Sequence, residues 1–367
     1  MNHRIIRYEP EFRERVAALH AEAFGLDPSE SCSYLAWKYE ENPYLQEPLL
    51  FLALNDAEVV VGMRGFYGTR WNVDGSSLCI PCADDFVILH RERNLGLATT
   101  LMQDALAKVR ALGFRYVLNS SGSPITVLQQ LAMGWRSLGA MEPVERLTWR
   151  GRLHRALADH LTRVPGAHRL AHRFGPDVSA CLARLERSAG RAESHRAGIT
   201  LGVEPRADVM AELAADCRDD QRVSHVRGPE FFRWRFRNPT REYRYLYLER
   251  AGVLHGYLIV TTYRQFAYRG LPCSIADLVG RSDRDRTDLI ETVLSWGDFS
   301  AIGAWSAAFS PDDRESLEHA GFVPSELQAR ARGMPCILLK TLNSERTPGA
   351  GLDKLSWDVR FIDSMHG

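Results

Sequence analysis

One short pattern occurs twice in this chain, and it limits the available folds more than any other feature. Trp37-Lys38-Tyr39, two glutamates and Asn42-Pro43 return as Trp234-Arg235-Phe236-Arg237-Asn238-Pro239, and each copy leads into a strand-like run, Leu49 to Leu54 in one case and Tyr243 to Leu248 in the other. The echo extends in both directions. Glu9-Pro10 is matched by Glu204-Pro205, Cys82-Ala83-Asp84-Asp85-Phe86-Val87 by Ile275-Ala276-Asp277-Leu278-Val279, and Ala132-Met133-Gly134-Trp135 by His319-Ala320-Gly321-Phe322. A period near two hundred residues is far longer than the roughly 20–50 of a solenoid, so the repeat is a duplicated domain.

The length of 367 residues, with 45% hydrophobic and 25% charged side chains, suffices for two such domains, each with its own core. A disordered or fibrous chain is excluded. Lysine plus arginine equals aspartate plus glutamate at 46 each, so no overall field draws the protein to nucleic acid or to an anionic membrane, and any anion site must be local. Met1 to Pro10 lacks a signal-peptide core and no run of about 18 apolar residues occurs, which reads as a soluble cytoplasmic protein. The seven cysteines are odd in number and scattered, the pattern of reduced, mostly buried thiols. Cys79-Ile80-Pro81-Cys82 has zinc-like spacing without a second pair, so it reads as structural and no metal is expected.

Local periodicity gives the element order of the first half. Ile5 to Tyr8 is a strand, Phe12 to Phe24 an amphipathic helix stopped by Gly25, and Ser31 to Glu41 a second helix closed by Asn42-Pro43. Leu49 to Leu54, Val59 to Tyr67 and Leu78 to Leu89 form an antiparallel meander. A helix with the stripe Leu97, Leu101, Ala105 and Val109 follows, then a strand at Phe114 to Asn119, a helix from Ser123-Pro124 to Gly134 and a strand from Trp135. The order is β-α-α-β-β-β-α-β-α-β over residues 1–150. Residues 151–197 are rich in arginine, histidine and alanine and read as a basic helical connector, whose face suits a phosphate-bearing partner. The second domain is expected at 198–345, with a tail at 346–367.

The stretch Ile88 to Met102 carries the chemistry. A strand runs out at His90, and Arg93-Asn94-Leu95-Gly96-Leu97-Ala98 opens a long amphipathic helix. Small residues there let the backbone approach a pyrophosphate, first-turn amides point at it, and the helix dipole favours its charge. A nearby arginine adds a charge-assisted contact. Arg93, Gly96 and Ala98 match the acyl-CoA motif of the GNAT superfamily, and the strand before, the helix after and the element order agree with it, so the chain resembles a tandem GNAT protein. In the second half the corresponding Gly280-Arg281-Ser282-Asp283-Arg284-Asp285-Arg286-Thr287-Asp288 has no glycine where close backbone approach is needed, and its aspartates would repel a pyrophosphate. The second repeat is therefore expected not to bind the coenzyme.

The resemblance implies an α/β fold of α+β type: two tandem GNAT-like domains, each a mixed, mostly antiparallel sheet flanked by helices. It implies an N-acyltransferase using acetyl-CoA or another acyl-CoA as co-substrate and acting on an amine of a small molecule, such as an amino sugar or an amino-acid-like metabolite. Backbone or side-chain coenzyme contacts fall on Ile88, Leu89, Arg93, Asn94, Leu95, Gly96, Leu97, Ala98 and Thr99, with Asn119 toward the pantetheine. Asp85 stands where the family carries a carboxylate base on its central strand, Asp84 is its neighbour on the opposite face of a regular strand, and His90 is a further candidate base. Crowding of the two aspartates is expected to raise the pKa of the more buried one. The position that commonly holds a tyrosine acid is Gln130, so Ser121, Ser123 or water is left to protonate the thiolate. The repeated element is expected either to line the acceptor cleft with aromatic surface or, as the reading preferred here, to anchor its helices to the sheet through the tryptophans. Alternatives of the same fold are a transferase served by an acyl carrier protein, an aminoacyl transferase, or a non-catalytic module that senses acyl-CoA or scaffolds a complex; an oligomer is left open.

Overall fold

The computed structural model describes residues 3–93, 96–121, 124–163, 178–192, 198–263, 273–297, 299–307, 309–325, 336–343, 356–360 and 363. The first half runs β1 (Arg4–Arg7), α1 (Arg13–Phe24), α2 (Pro28–Leu35) continuing into a wide turn at Ala36–Glu40, β2 (Leu49–Leu54), β3 (Val60–Val73), β4 (Ser76–Ile88), α3 (Leu97–Ala111), β5 (Tyr116–Ser121), α4 (Pro124–Ala132), β6 (Arg136–Ala140) and β7 (Pro143–Leu147). Then come α5 (Trp149–Arg163) and α6 (Val178–Ala192). The second half repeats the plan: β8 (Ile199–Gly202), α7 (Ala207–Asp216), β9 (Val223–His225), α8 (Pro229–Arg235), β10 (Arg241–Arg250), β11 (Val253–Tyr263), β12 (Cys273–Gly280), α9 (Asp283–Gly297), β13 (Ala301–Trp305), α10 (Pro311–His319), β14 (Val323–Pro324), β15 (Cys336–Thr341) and β16 (Trp357–Asp358).

The sequence patterns explain most of these elements. Every residue of β2 is buried, as a continuous apolar run covered on both faces requires. The predicted stripe of α3, namely Leu97, Leu101, Ala105 and Val109, is buried, and Gly25 ends α1 in the left-handed conformation at φ 67°. Cys79 and Cys82 lie in an unbroken β3–β4 register, opposite Arg70 and Tyr67, so their sulfurs face opposite sides and do not converge on one ion. Among the described residues no helix is long and apolar enough to cross a membrane.

Among the described residues the strands form two sheets, and each sheet takes a strand from the other half of the sequence. The first has the path β1-β2-β3-β4-β5-β15-β6, and the second β14-β7-β13-β12-β11-β10-β8. Strand β15, from the C-terminal half, lies antiparallel between β5 and β6, while β7 lies between β13 and β14. The edges β5 and β6 of one repeat are thus satisfied by the other, and reciprocally.

A second tie joins the repeats at the duplicated element. Trp37 and Trp234 stack with centroids 5.2 Å apart and planes at 15°, and each indole N–H donates to the other's backbone carbonyl at 2.8 Å. Both tryptophans are buried in the core beside the sheet strands, and in addition the two join the repeated elements to one another. Their aromatic area and satisfied N–H groups make this a buried, polar-complete joint.

Leu338 on β15 is fully buried in the core of the first sheet, so Leu338→Ala is expected to destabilise the chain by about 2–5 kcal/mol. In urea, full-length protein should unfold in a single transition, and a fragment ending at residue 150 should be recovered as aggregate. Two separable transitions, or a soluble folded fragment by circular dichroism, would contradict the reciprocal strand exchange.

Candidate functional site

The site begins as a gap between two parallel strands. Strand β4 pairs with β5 only at Cys82–Leu118 and Ala83–Asn119, although β4 continues to Ile88. After Asp84, which still pairs with Gly65, the β3–β4 register shifts: Arg64 alone faces Asp85 and Phe86, and Asp85 takes a positive φ of 47°. This is a β-bulge, which bends and twists the strand that carries it. Beyond it the edge of β4 toward β5 has no strand partner among the described residues. Leu89 donates its backbone N–H to Val61 on β3 at 2.9 Å. The peptide groups of Ile88, one residue earlier, therefore point to the other edge, into the gap, where the Ile88 carbonyl accepts from Arg93 Nε at 3.2 Å.

Helix α3 opens at the end of this gap. Its N-cap is Gly96, left-handed at φ 76°, with no side-chain cap, and Gly96, Ala98 and Thr99 are exposed while Leu97 is buried. The first turn thus presents uncapped backbone amides to the outside, the arrangement that binds phosphate groups. At the level of the last β4–β5 pair, Asn119 donates from Nδ2 to the Ala83 carbonyl at 3.0 Å, and its buried Oδ1 has no partner among the described residues. Gln130 on α4 is 2% exposed, with both side-chain amide atoms buried and unpartnered among the described residues. An uncapped helix entrance, a free strand edge and orphaned amide acceptors fit a coenzyme with a diphosphate and an amide-rich arm.

On the other side of the sheet the bulge gathers charge. Regular alternation would set Asp84 and Asp85 on opposite faces, but the extra residue places both toward α2. Lys38 Nζ donates to Asp84 Oδ2 at 2.8 Å, to Asp85 Oδ2 at 2.7 Å and to the Tyr34 hydroxyl at 2.9 Å. The Tyr39 hydroxyl donates to Asp85 at 2.7 Å, and His20 Nε2 stands 3.8 Å from its other oxygen. Gly65, across from Asp84, is required because a side chain there would collide with the Tyr39 hydroxyl. The Lys38 side chain is fully buried and that of Asp85 nearly so, whereas that of Asp84 is 33% exposed. Burial alone would raise the Asp85 carboxyl, but the Lys38 ammonium holds it well below the usual carboxylate range. Burial likewise works against the charge on Lys38, and the two aspartates hold its pKa well above the ordinary value. The raised carboxyl expected from crowding is thus corrected, because the pair shares a cation.

The second repeat keeps this frame but occupies its charged position and its helix entrance with its own side chains. Strands β12 and β13 pair in parallel only at Ser274–Gly303, and the register of β12 shifts at Ala276. Asp277 occupies the place of Asp85 and accepts from the Tyr257 hydroxyl at 3.0 Å, Arg227 at 3.3 Å and Arg360 at 3.0 Å. The entrance of α9 is capped by its own residues: the Ser282 N–H and hydroxyl donate to Asp285, whose N–H donates back, and Arg286 reaches the Gly280 carbonyl at 2.8 Å.

Of the residues singled out in the sequence, Ile88, Arg93, Gly96, Leu97, Ala98, Thr99 and Asn119 are brought to the gap or its mouth. The N–H of Leu89 is taken by the β3 ladder. His90 is exposed in the turn at His90–Glu92, outside the Asp84–Lys38–Asp85 cluster. Asn94, Leu95 and Ser123 lie outside the described residues, and the backbone of Ser121 pairs with Cys336 of β15. Sequence reasoning missed the part played by Lys38 and its shell of Tyr34, Tyr39 and His20, although Lys38 is the basic residue of the duplicated element. It also passed over Arg64, the single charge in the apolar run 59–67.

No protein-family model and no curated protein matches the sequence. Solved structures match it over nearly its whole length at low identity. A GCN5-related N-acetyltransferase from Anabaena variabilis superposes with a TM-score of 0.60 at 13% identity, covering 93% of this chain and 73% of the other. N-myristoyltransferase from Saccharomyces cerevisiae gives 0.57 at 13%, covering 92% and 80%. A tandem GNAT protein from the clavulanic acid biosynthesis pathway gives 0.54 at 14%, covering 94% of this chain and all of the other. With two bulged, splayed sheets related by duplication and similar in course to these proteins, the chain has the tandem GNAT fold.

Proposed function

We propose that the first repeat is an acyltransferase that moves an acyl group from an acyl-CoA thioester to the amine of a small molecule, of the amino-sugar or amino-acid-like class. The observation that carries this reading is the uncapped entrance of α3 at the mouth of the β4–β5 gap, set against the self-capped entrance of α9. Gly96, Leu97, Ala98 and Thr99 would hold the diphosphate through backbone amides, the Ile88 N–H at the mouth would donate to a carbonyl of the pantetheine arm, and Asn119 Oδ1 at the closed end would accept from the arm's amide next to the thioester, which then lies level with the bulge.

The acceptor side is the face of the two aspartates. The partly exposed Asp84 is the group placed to take the proton of the entering ammonium, and Asp85, sealed and ion-paired, is a positioning residue that fixes Lys38. The free amine nitrogen then attacks the carbonyl carbon, the C–N bond forms, the nitrogen gives up its second proton to water, the C–S bond breaks with its electron pair on sulfur, and water relays a proton to the thiolate. Gln130 has no acidic proton to give, so water supplies it. The sequence pointed to Asp85 as base; the exposure of Asp84 favours the neighbour.

Three outcomes test this reading. Gly96→Glu adds a charge and a left-handed side chain at an exposed position, so it should cost the fold only about 1 kcal/mol yet abolish CoA binding in calorimetry; unchanged affinity would move the site elsewhere. With thiol release from acetyl-CoA measured over a panel of amines, Asp84→Asn should lower kcat by roughly 100-fold and leave thioester affinity intact. An unaltered rate would remove Asp84 from the chemistry.

Lys38→Met strands two carboxylates and should destabilise the fold by about 3–5 kcal/mol. In the wild type the depressed Asp85 carboxyl contributes stability in full above its unfolded value of 3.8, and the raised Lys38 ammonium does so below 10.5, so the pair gives a flat contribution between them. Without Lys38 the buried carboxyl is raised instead, and the melting temperature of the variant should climb from pH 8 to pH 5. A flat profile in the variant would mean that Asp85 is not sealed.

A further inference from the structure

The proposed chemistry leaves Arg64 without a role, and its surroundings point to one. Arg64 lies on β3 opposite the bulge and is 2% exposed. Its side chain reaches over β4, with Nη1 3.5 Å from the Asp84 carbonyl and the guanidinium 5.2 Å from the Phe86 ring and 5.4 Å from the Phe66 ring. Nε and Nη2 are buried with no hydrogen-bond partner among the described residues. A guanidinium stays charged in nearly every protein setting, and burying its donors unpaired is costly, so aromatic stacking alone is a poor compensation.

The register tells which face this is. Gly62, Arg64 and Phe66 alternate onto one side of β3, and a side chain at Gly62 would meet Leu101 of α3, so this is the α3 face. Ala83 pairs with both Phe66 and Asn119, which puts Asn119 and its orphaned Oδ1 on the same face, at the point where β4 and β5 separate. Asp84 and Asp85 occupy the opposite face.

We propose that Arg64 receives a carboxylate carried by the acyl group, so that the donor is a CoA half-thioester of a short dicarboxylic acid. The planar fork of the guanidinium matches a carboxylate through two parallel N–H···O bonds, and Nε with Nη2 is such a fork. The acceptor enters against the aspartates, so an anion on the α3 face belongs to the acyl group lying along the gap. This assignment rests on the acyltransferase reading and specifies its donor.

Calorimetry of the full chain with CoA, acetyl-CoA and succinyl-CoA tests it. Succinyl-CoA should bind wild type about tenfold or more tighter than acetyl-CoA. Arg64→Met should erase that difference while leaving the affinity for CoA itself unchanged, and Arg64→Lys should restore part of it. Equal affinities for the two thioesters, with CoA still bound, would overturn this assignment alone, and the wild-type comparison decides even if the methionine variant does not fold. A preference that survives in Arg64→Met would overturn it as well. A preference for amino acids over their decarboxylated amines that Arg64→Met removes, with donors bound equally, would give Arg64 to the acceptor and overturn the donor assignment. Failure of CoA to bind at all would sink the acyltransferase reading beneath it.

Discussion

A single extra residue in β4 sets the rest of this structure in motion. Opposite Arg64 the strand carries two residues where a regular ladder would have one, and Asp85 adopts a left-handed backbone to make that possible. Pairing with β5 ends at Ala83, two residues before Asp85, so the gap between the strands and the convergence of Asp84 with Asp85 arise within one short stretch. A left-handed aspartate costs of order 1–3 kcal/mol. It is held by the contacts that require it: Lys38, Tyr39 and the backbone N–H of Asp85 itself, which donates to Asp84.

The duplicated chain uses this device twice, to different ends. In the first repeat the bulge borders an open helix entrance and a lysine with two carboxylates. In the second, Arg227 and Arg360 close on Asp277, and Ser282, Asp285 and Arg286 fill the helix entrance. The second repeat fills from its own side chains what the first leaves open among the described residues. Conserving the frame while changing what fills it lets one half serve as a rigid support for the other.

That support is structural in a direct sense. The exchange of β7 and β15 and the reciprocal indole contacts of Trp37 and Trp234 make each sheet dependent on the distant half of the chain. Such long-range pairings carry a large loop-closure cost and are expected to form late in folding, once both meanders exist. In return, the lysine-bearing turn at Ala36–Glu40 is clamped by the opposing helix, which keeps Lys38 where both carboxylates can reach it.

Much of this was legible in order along the chain. The periods of the helices and strands, the uncapped Gly96 entrance and the duplication follow from local spacing, because amphipathic stripes, turn residues and caps act over a few residues. The same local logic read Trp37-Lys38-Tyr39 as a repeated element but not what Lys38 would meet. Three things were decided only in three dimensions: that Asp84 and Asp85 share a face, that β15 completes the first sheet, and that Arg64 is buried with Nε and Nη2 unpartnered among the described residues. Each depends on a register shift or a strand pairing between residues far apart, and strand register is fixed by the neighbours a strand finds rather than by its own sequence.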